Sequence, residues 1–294
     1  MQETLNTKAF GKNDIRGIFP SEVNSELYFY VAKGYVSWAQ EQFYKMNGVK
    51  KPLDEMLFSV CMDARLHSKE LKDSLIQGLT AAGVNILDLG LAPTPLGYFS
   101  EFAKIEKEVI EDKTVNGALI ITASHNPSQY NGLKMTFNKA SLTEEQIKEV
   151  KEYTQKAYEA AKADTYRTFR CGFVKQYDII SNYKDKIADM FDKIGSGIKI
   201  VTDSANATGG LVAPDLYREL GCEVIELFSE PDGNFPNHHP NPSDEKTLDA
   251  IKKAVVENKA DFGIAFDGDS DRIGVVSSDG KTISGDKLLL IYAL

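Results

Sequence analysis

Ser124 lies in Thr122-Ala123-Ser124-His125-Asn126-Pro127, directly after the apolar run Gly117-Ala118-Leu119-Ile120-Ile121. A hydroxyl placed where a buried strand breaks into a loop can carry a covalent group. A second break, Asp267-Gly268-Asp269-Ser270-Asp271-Arg272, offers three carboxylates at alternating positions. Together the two segments read as a phosphorylatable serine with its own divalent metal.

A serine at a strand end is ordinarily a cap or turn residue, so its neighbours carry the argument. His125 and Asn126 can donate hydrogen bonds to phosphate oxygens, Pro127 stiffens the turn, and Asn131-Gly132-Leu133-Lys134 brings a lysine back ten residues later. A phosphoserine carries a charge of about −1.5 to −2, so cations must lie near it. The G-x-S-x-G elbow of hydrolases is absent, and His125, adjacent in sequence, is poorly placed as a base for Ser124. Asp267, Asp269 and Asp271 would point the same way on an extended strand, because side chains alternate with period two. They match positions one, three and five of a calcium loop. Arg272 and Ser278, however, stand where that loop needs glycine and glutamate. Mg²⁺ fits better, since it takes one or two protein carboxylates together with phosphate oxygens and water. A solvated acidic turn is the alternative.

These loops need strands behind them, and laying the chain on itself at an offset of about 140 residues exposes an internal repeat. In the first copy, a strand from Leu57 to Met62 ends at Asp63, a helix carries Leu71, Leu75 and Leu79, and Gly83 introduces a strand through Ile86 to Leu89. In the second, Ile198 to Thr202 ends at Asp203, a helix carries Leu216 and Leu220, and Gly221 introduces Val224 to Leu227. Pro214 fits if that helix starts near Ala213, where a first-turn proline is tolerated. Each copy then continues to a further strand, Gly117–Thr122 or Asp261–Phe266, and the two chemical loops follow those strands. The expected fold is α/β: two tandem, similar domains, each a largely parallel mixed sheet flanked by helices. Ligands in such sheets collect beyond the carboxyl ends of the strands.

Other segments complete the outline. Leu27, Val31, Tyr35 and Trp38 have helical spacing within Ser25–Lys45, which places Trp38 in the core. Thr143-Glu144-Glu145-Gln146 has capping-box spacing and opens a helix to about Ala163. The polar stretch Asp164 to Arg170 is taken as the boundary between domains 1–165 and 166–284. Ile180, Tyr183, Ile187, Met190 and Ile194 mark a helix ended by Gly195-Ser196-Gly197.

The 294 residues contain 34 basic and 43 acidic side chains, a net charge of −9, which argues against nucleic acid as a partner. An anionic substrate therefore needs a locally basic pocket. The apolar runs are of strand length, so no membrane partner is expected and a cytoplasmic location follows. Cys61, Cys171 and Cys222 are few, odd in number and widely separated, which suits reduced thiols rather than a disulfide framework.

With Asp14-Ile15-Arg16-Gly17, Thr122 to Pro127, Tyr130 to Lys134 and Asp267 to Arg272, the chain resembles the α-D-phosphohexomutase family, in its phosphomannomutase/phosphoglucomutase branch. The resemblance covers almost the whole chain. It implies that Ser124 is a phosphoserine donating to a hexose phosphate, and that Asp267, Asp269 and Asp271 hold Mg²⁺ together with the phosphate on Ser124. It further implies that Arg16 and Arg272 offset charge, and that Lys134 and His125 serve proton transfer and orient the sugar hydroxyl; Arg16, Lys134 and Arg272 would contact substrate. A hexose 1,6-bisphosphate would be the intermediate, and glucose 1,6-bisphosphate an activator. Phosphoglucosamine mutase and a phosphosugar- or Mg-binding module without turnover are the alternatives.

Asn13 stands where the family often has tyrosine, and Cys61 to Arg65 is an atypical form of its loop. His238 and His239 look like a metal pair, but adjacent residues rarely share an ion, and they read as structural or cleft-lining. Residues 285–294 read as the truncated start of a third domain, so the expectation is a fragment lacking domains 3 and 4, with little or no full activity.

Overall fold

The computed structural model describes residues 5–111, 113–163 and 171–293. The first half runs β1 (Ile15–Ile18), α1 (Ser25–Asn47), β2 (Leu57–Met62), α2 (Ser68–Ala81), β3 (Asn85–Leu91), α3 (Thr94–Phe99), α4 (Lys107–Ile110), β4 (Val115–Ile121), β5 (Tyr130–Phe137), β6 (Ala140–Ser141) and α5 (Glu144–Lys162). The second runs β7 (Val174–Gln176), α6 (Ile179–Met190), β8 (Lys199–Asp203), α7 (Ala213–Glu219), β9 (Glu223–Leu227), α8 (Asp249–Glu257), β10 (Phe262–Phe266), β11 (Ile273–Ser277), β12 (Thr282–Ile283) and α9 (Gly285–Tyr292).

The strands form two sheets, ordered β1-β5-β4-β2-β3-β7, with β6 beside β5, and β12-β11-β10-β8-β9. The internal repeat is visible in this order: β5-β4-β2-β3 of the first sheet matches β11-β10-β8-β9 of the second. In each, three consecutive strands are parallel and the fourth turns back antiparallel. Gly83 and Gly221 sit at the same point of each repeat with φ of +96° and +100°, a region that side chains with a Cβ seldom enter.

Period-two alternation divides the first sheet between two apolar layers. Phe58 and Val60 of β2 face α1, α2 and α5, where Trp38, Tyr35, Leu71 and Leu75 are fully buried. Leu57 and Cys61 face the other layer, which takes in Leu96 of α3 and also Ile179, Val212, Leu216 and Leu220 from beyond residue 170. The two halves thus share a core. A third cluster, with Val201, Ile251, Val255 and Val276, fills the far side of the second sheet.

Local expectations meet the structure closely in places. Thr143 and Gln146 exchange both capping-box hydrogen bonds, and Pro214 occupies the first turn of α7. Two points differ. The helix expected to run to Gly195 stops at Met190, and Met190 and Ile194 are largely exposed, because the inward face of α6 ends at Ile187. β7, C-terminal to the expected boundary, pairs with β3 of the first sheet. The boundary segment Asp164–Arg170 itself lies outside the described residues. Leu289, Leu290, Ile291 and Tyr292 of α9 are exposed, and among the described residues no helix is long and apolar enough to cross a membrane.

Candidate active site

Ser124 follows β4 and Asp267 follows β10, the equivalent strands of the two repeats, so the shared core brings two corresponding loops face to face. Ser124 is 2% exposed with φ of +51°, and its N–H is held by Thr122 Oγ1 at 2.8 Å. Its Oγ donates to Asp267 Oδ2 across the domain junction at 2.7 Å. Gly268 permits this approach, since a Cβ there would lie 2.5 Å from the Ser124 carbonyl oxygen.

The three aspartates do converge, but not by strand alternation. β10 ends at Phe266, and a turn closed by Ser270 N–H to Asp267 O, with Ser270 at φ +60°, folds the carboxylates inward. One oxygen from each lies within 4.8 Å of the others. Asp267 Oδ1 accepts the N–H groups of Asp271 and Arg272, both at 3.1 Å. Asp269 Oδ2 accepts from Lys134 Nζ at 2.6 Å and Thr94 Oγ1 at 2.7 Å, while its Oδ1 is buried with no partner. Lys134 also reaches Asp271 at 2.7 Å.

The charges respond to this crowding. Burial, reinforced by Asp269 and Asp271, pushes the Asp267 carboxyl up to about 7. Burial also acts on Asp269, but the Lys134 ammonium outweighs it and holds that carboxyl below its usual range. Burial opposes the charge of Lys134, yet Asp269 and Asp271 hold the ammonium well above its ordinary value. Lys134 is thus held as a cation between these two carboxylates. A buried carboxylate oxygen without a partner, beside a second carboxyl that resists ionisation, suits a hard divalent cation with oxygen ligands.

Arg16, on β1 opposite Gly132 of β5, pairs with Asp14 at 2.5 Å. Arg272 Nη1 donates to His125 Nδ1 at 2.8 Å. Burial, followed by Arg272 and Arg16, lowers the His125 pKa. The ring is neutral, with Nδ1 engaged and, by the hydrogen-bond network, the proton on Nε2. Although Nδ1 is 3.3 Å from Ser124 Oγ, its lone pair is committed to Arg272, which leaves it a poor base, as its position in the sequence suggests. Lys12, Asn13, Arg16, Tyr98, Ser124, Lys134, Asp271 and Arg272 line a cleft of about 530 Å³. Within a chain of net charge −9, four cations against the two lining carboxylates of Asp14 and Asp271 make this pocket locally basic.

Sequence reasoning brought together the residues that meet here, but gave no role to Thr94, Tyr98, Lys12 or Arg65. Arg65 was legible only as part of an unusual strand-end loop; an arginine two residues after the Asp63 that ends β2 was the available signal. His238 lies apart from the carboxylates: Nε2 is 3.1 Å from both oxygens of Asp203 at the end of β8, and its Nδ1 faces the His239 carbonyl. Burial lowers its pKa, but Asp203 outweighs burial and raises it. A structural role fits these contacts.

Residues 7–161 match the phosphoglucomutase/phosphomannomutase α/β/α domain I, and residues 181–280 match domain II. The chain belongs to the phosphoglucomutase/phosphomannomutase family. It is 37% identical over 97% of its length to a phosphomannomutase/phosphoglucomutase of Pseudomonas syringae pv. tomato, covering 55% of that protein. It is 36% identical over 99% of its length to the phosphomannomutase/phosphoglucomutase of Pseudomonas aeruginosa strain PAO1, covering 56% of it. The crystal structure of a phosphoglucomutase/phosphomannomutase family protein from Burkholderia thailandensis superposes with a TM-score of 0.83 at 33% identity, over 97% of this chain and 58% of that one. The chain thus spans a little over half the length of the curated relatives it matches.

Proposed function

We propose that this chain carries the phosphoryl-transfer centre of a mutase that interconverts hexose 1-phosphate and hexose 6-phosphate, glucose and mannose being the sugars. The observation that carries the reading is the 2.7 Å contact between Ser124 Oγ and Asp267, inside a group of three carboxylates. The names of the relatives support the substrate class.

Ser124 is the phosphoryl carrier. In the forward half-reaction the bond from its oxygen to phosphorus breaks, a bond from a sugar hydroxyl to phosphorus forms, and the proton lost by that hydroxyl is balanced by the one gained at Ser124 Oγ, which ends as the free hydroxyl that donates to Asp267. The product is a hexose 1,6-bisphosphate. After the bisphosphate reverses in the cleft, its other phosphoryl group returns to Ser124 and the isomeric monophosphate leaves. Asp267, Asp269, Asp271 and the group on Ser124 would hold Mg²⁺, which supplies charge neutralisation to the transferring group. Lys134, held protonated, donates toward phosphate oxygens. Arg16 and Arg272 add positive charge from either side of the cleft, and His125 presents Nε2–H toward substrate. Positioning and electrostatics supply most of the rate in this chemistry.

The test is the intact mass of the protein before and after incubation with glucose 1,6-bisphosphate and Mg²⁺, beside Ser124→Ala. One phosphoryl group, present or gained, that is absent from the variant is the expected result. Its absence from the parent, in a sample where Mg²⁺ binds, would count against transfer and favour a binding role.

A further inference from the structure

Arg65 has no exposed side-chain surface, and a guanidinium buried so completely needs a partner for every N–H. It has five donors, and each one is used. Nε donates to Asp63 Oδ2 at 3.0 Å. Nη1 donates to the carbonyls of Pro127 and Tyr130 at 2.7 and 3.1 Å, and Nη2 to those of Ser124 and Asn126 at 2.8 and 2.7 Å. The loop bearing Ser124 is therefore wound around one cation. Four carbonyl oxygens turned toward a common point repel one another, so without that cation the loop would open.

The base of the clamp is rigid as well. Asp63 Oδ1 accepts the N–H of Arg65 at 3.1 Å and the hydroxyl of Ser68 at 2.6 Å, which ties the arginine to the end of β2 and the start of α2. Phe235, from the second half, covers the guanidinium with its ring centre 5.5 Å from Cζ. The arginine is thus fixed by both halves while it fixes the loop between them.

We infer that Arg65 is the positioning residue for Ser124: its guanidinium sets the loop so that Oγ meets Asp267, and phosphoryl transfer depends on this geometry without Arg65 touching substrate. The inference rests on the proposed phosphoryl transfer for its kinetic arm alone. Lysine is the informative substitution, since it keeps the charge but has three donors on a point-like head and cannot serve four carbonyls in a plane.

Three measurements test it. In the unaltered protein, nitrogen-15 NMR should resolve the Arg65 Nη protons as separate, slowly rotating signals; a single averaged signal would overturn the clamp. In Arg65→Lys, amide hydrogen exchange over residues 124–130 should rise by roughly tenfold or more while the strands beside it stay protected. Phosphoryl uptake by Ser124 from glucose 1,6-bisphosphate should slow by about 100-fold at unchanged half-saturation, as expected for a misplaced nucleophile. A correctly folded Arg65→Lys that exchanges and reacts like the parent overturns the inference. If the parent takes up no phosphoryl group although the first two results hold, the mutase reading fails and the positioning of the loop stands.

Discussion

Asp267 links the protonation of the site to its metal. Its folded value of about 7 lies above the ordinary carboxylate value, so the unfolded chain ionises first as pH rises. In the metal-free protein this group's contribution to stability is complete below about pH 4 and is lost as pH rises through about 7. A divalent cation binds the ionised form, so Mg²⁺ affinity should climb from about pH 6 to about pH 8, with release of a proton. Calorimetry in buffers of different ionisation enthalpy would detect that proton, and Asp267→Asn should bind weakly with a flat pH profile. Thr94 gives a second prediction at this scale. By donating to Asp269 Oδ2, it helps leave Oδ1 as the unengaged oxygen. Thr94→Val should weaken Mg²⁺ binding by roughly tenfold, with an unchanged thermal midpoint if Thr94 serves the carboxylate alone. The sequence revealed Ser124 and the aspartates because their types cluster within a few positions. Thr94 and Arg65 escaped because their partners lie 175 and about 60 residues away, a closeness that only the packed sheets create.

At the scale of elements, the repeat was legible because each copy spells strand, helix, glycine and strand in order. The three aspartates show how the right grouping can come from the wrong element: alternation along a strand would align them, but the turn after β10 does so through Ser270. The end of α6 was misread because Met190 and Ile194 continue an apolar spacing that the fold leaves outside its core. The meeting of the two strand-end loops depends on the absence of a side chain at Gly268. In Gly268→Ala the new methyl would press on the Ser124 carbonyl at 2.5 Å, and backbone on both sides must shift. The contact from Ser124 to Asp267 should lengthen, and phosphoryl uptake should fall by about 100-fold while far-ultraviolet dichroism is retained. Uptake at the parental rate would mean that the loops have slack at this point.

At the scale of the whole molecule, the chemistry needs two sheets held in register, and the shared apolar layer is what holds them. Leu57, Cys61, Leu96 and Ile120 come from the first sheet and α3; Val212, Leu216 and Leu220 come from the segment after β8. Because burying this layer requires both halves, neither can unfold without exposing apolar surface of the other, and denaturation should be a single transition. Leu216→Ala tests this at an apolar residue of the shared layer. Removing its side chain should cost about 2–5 kcal/mol, and the loss should appear equally in a probe of the first half, such as Trp38 fluorescence, and in hydrogen exchange of β8 and β10. Two separated transitions, or a loss confined to the second half, would mean that the halves are only lightly joined. The 2.7 Å contact between Ser124 and Asp267 would then have to be set by the loops themselves, with Arg65 and the turn at Ser270 carrying the alignment that the shared core otherwise provides.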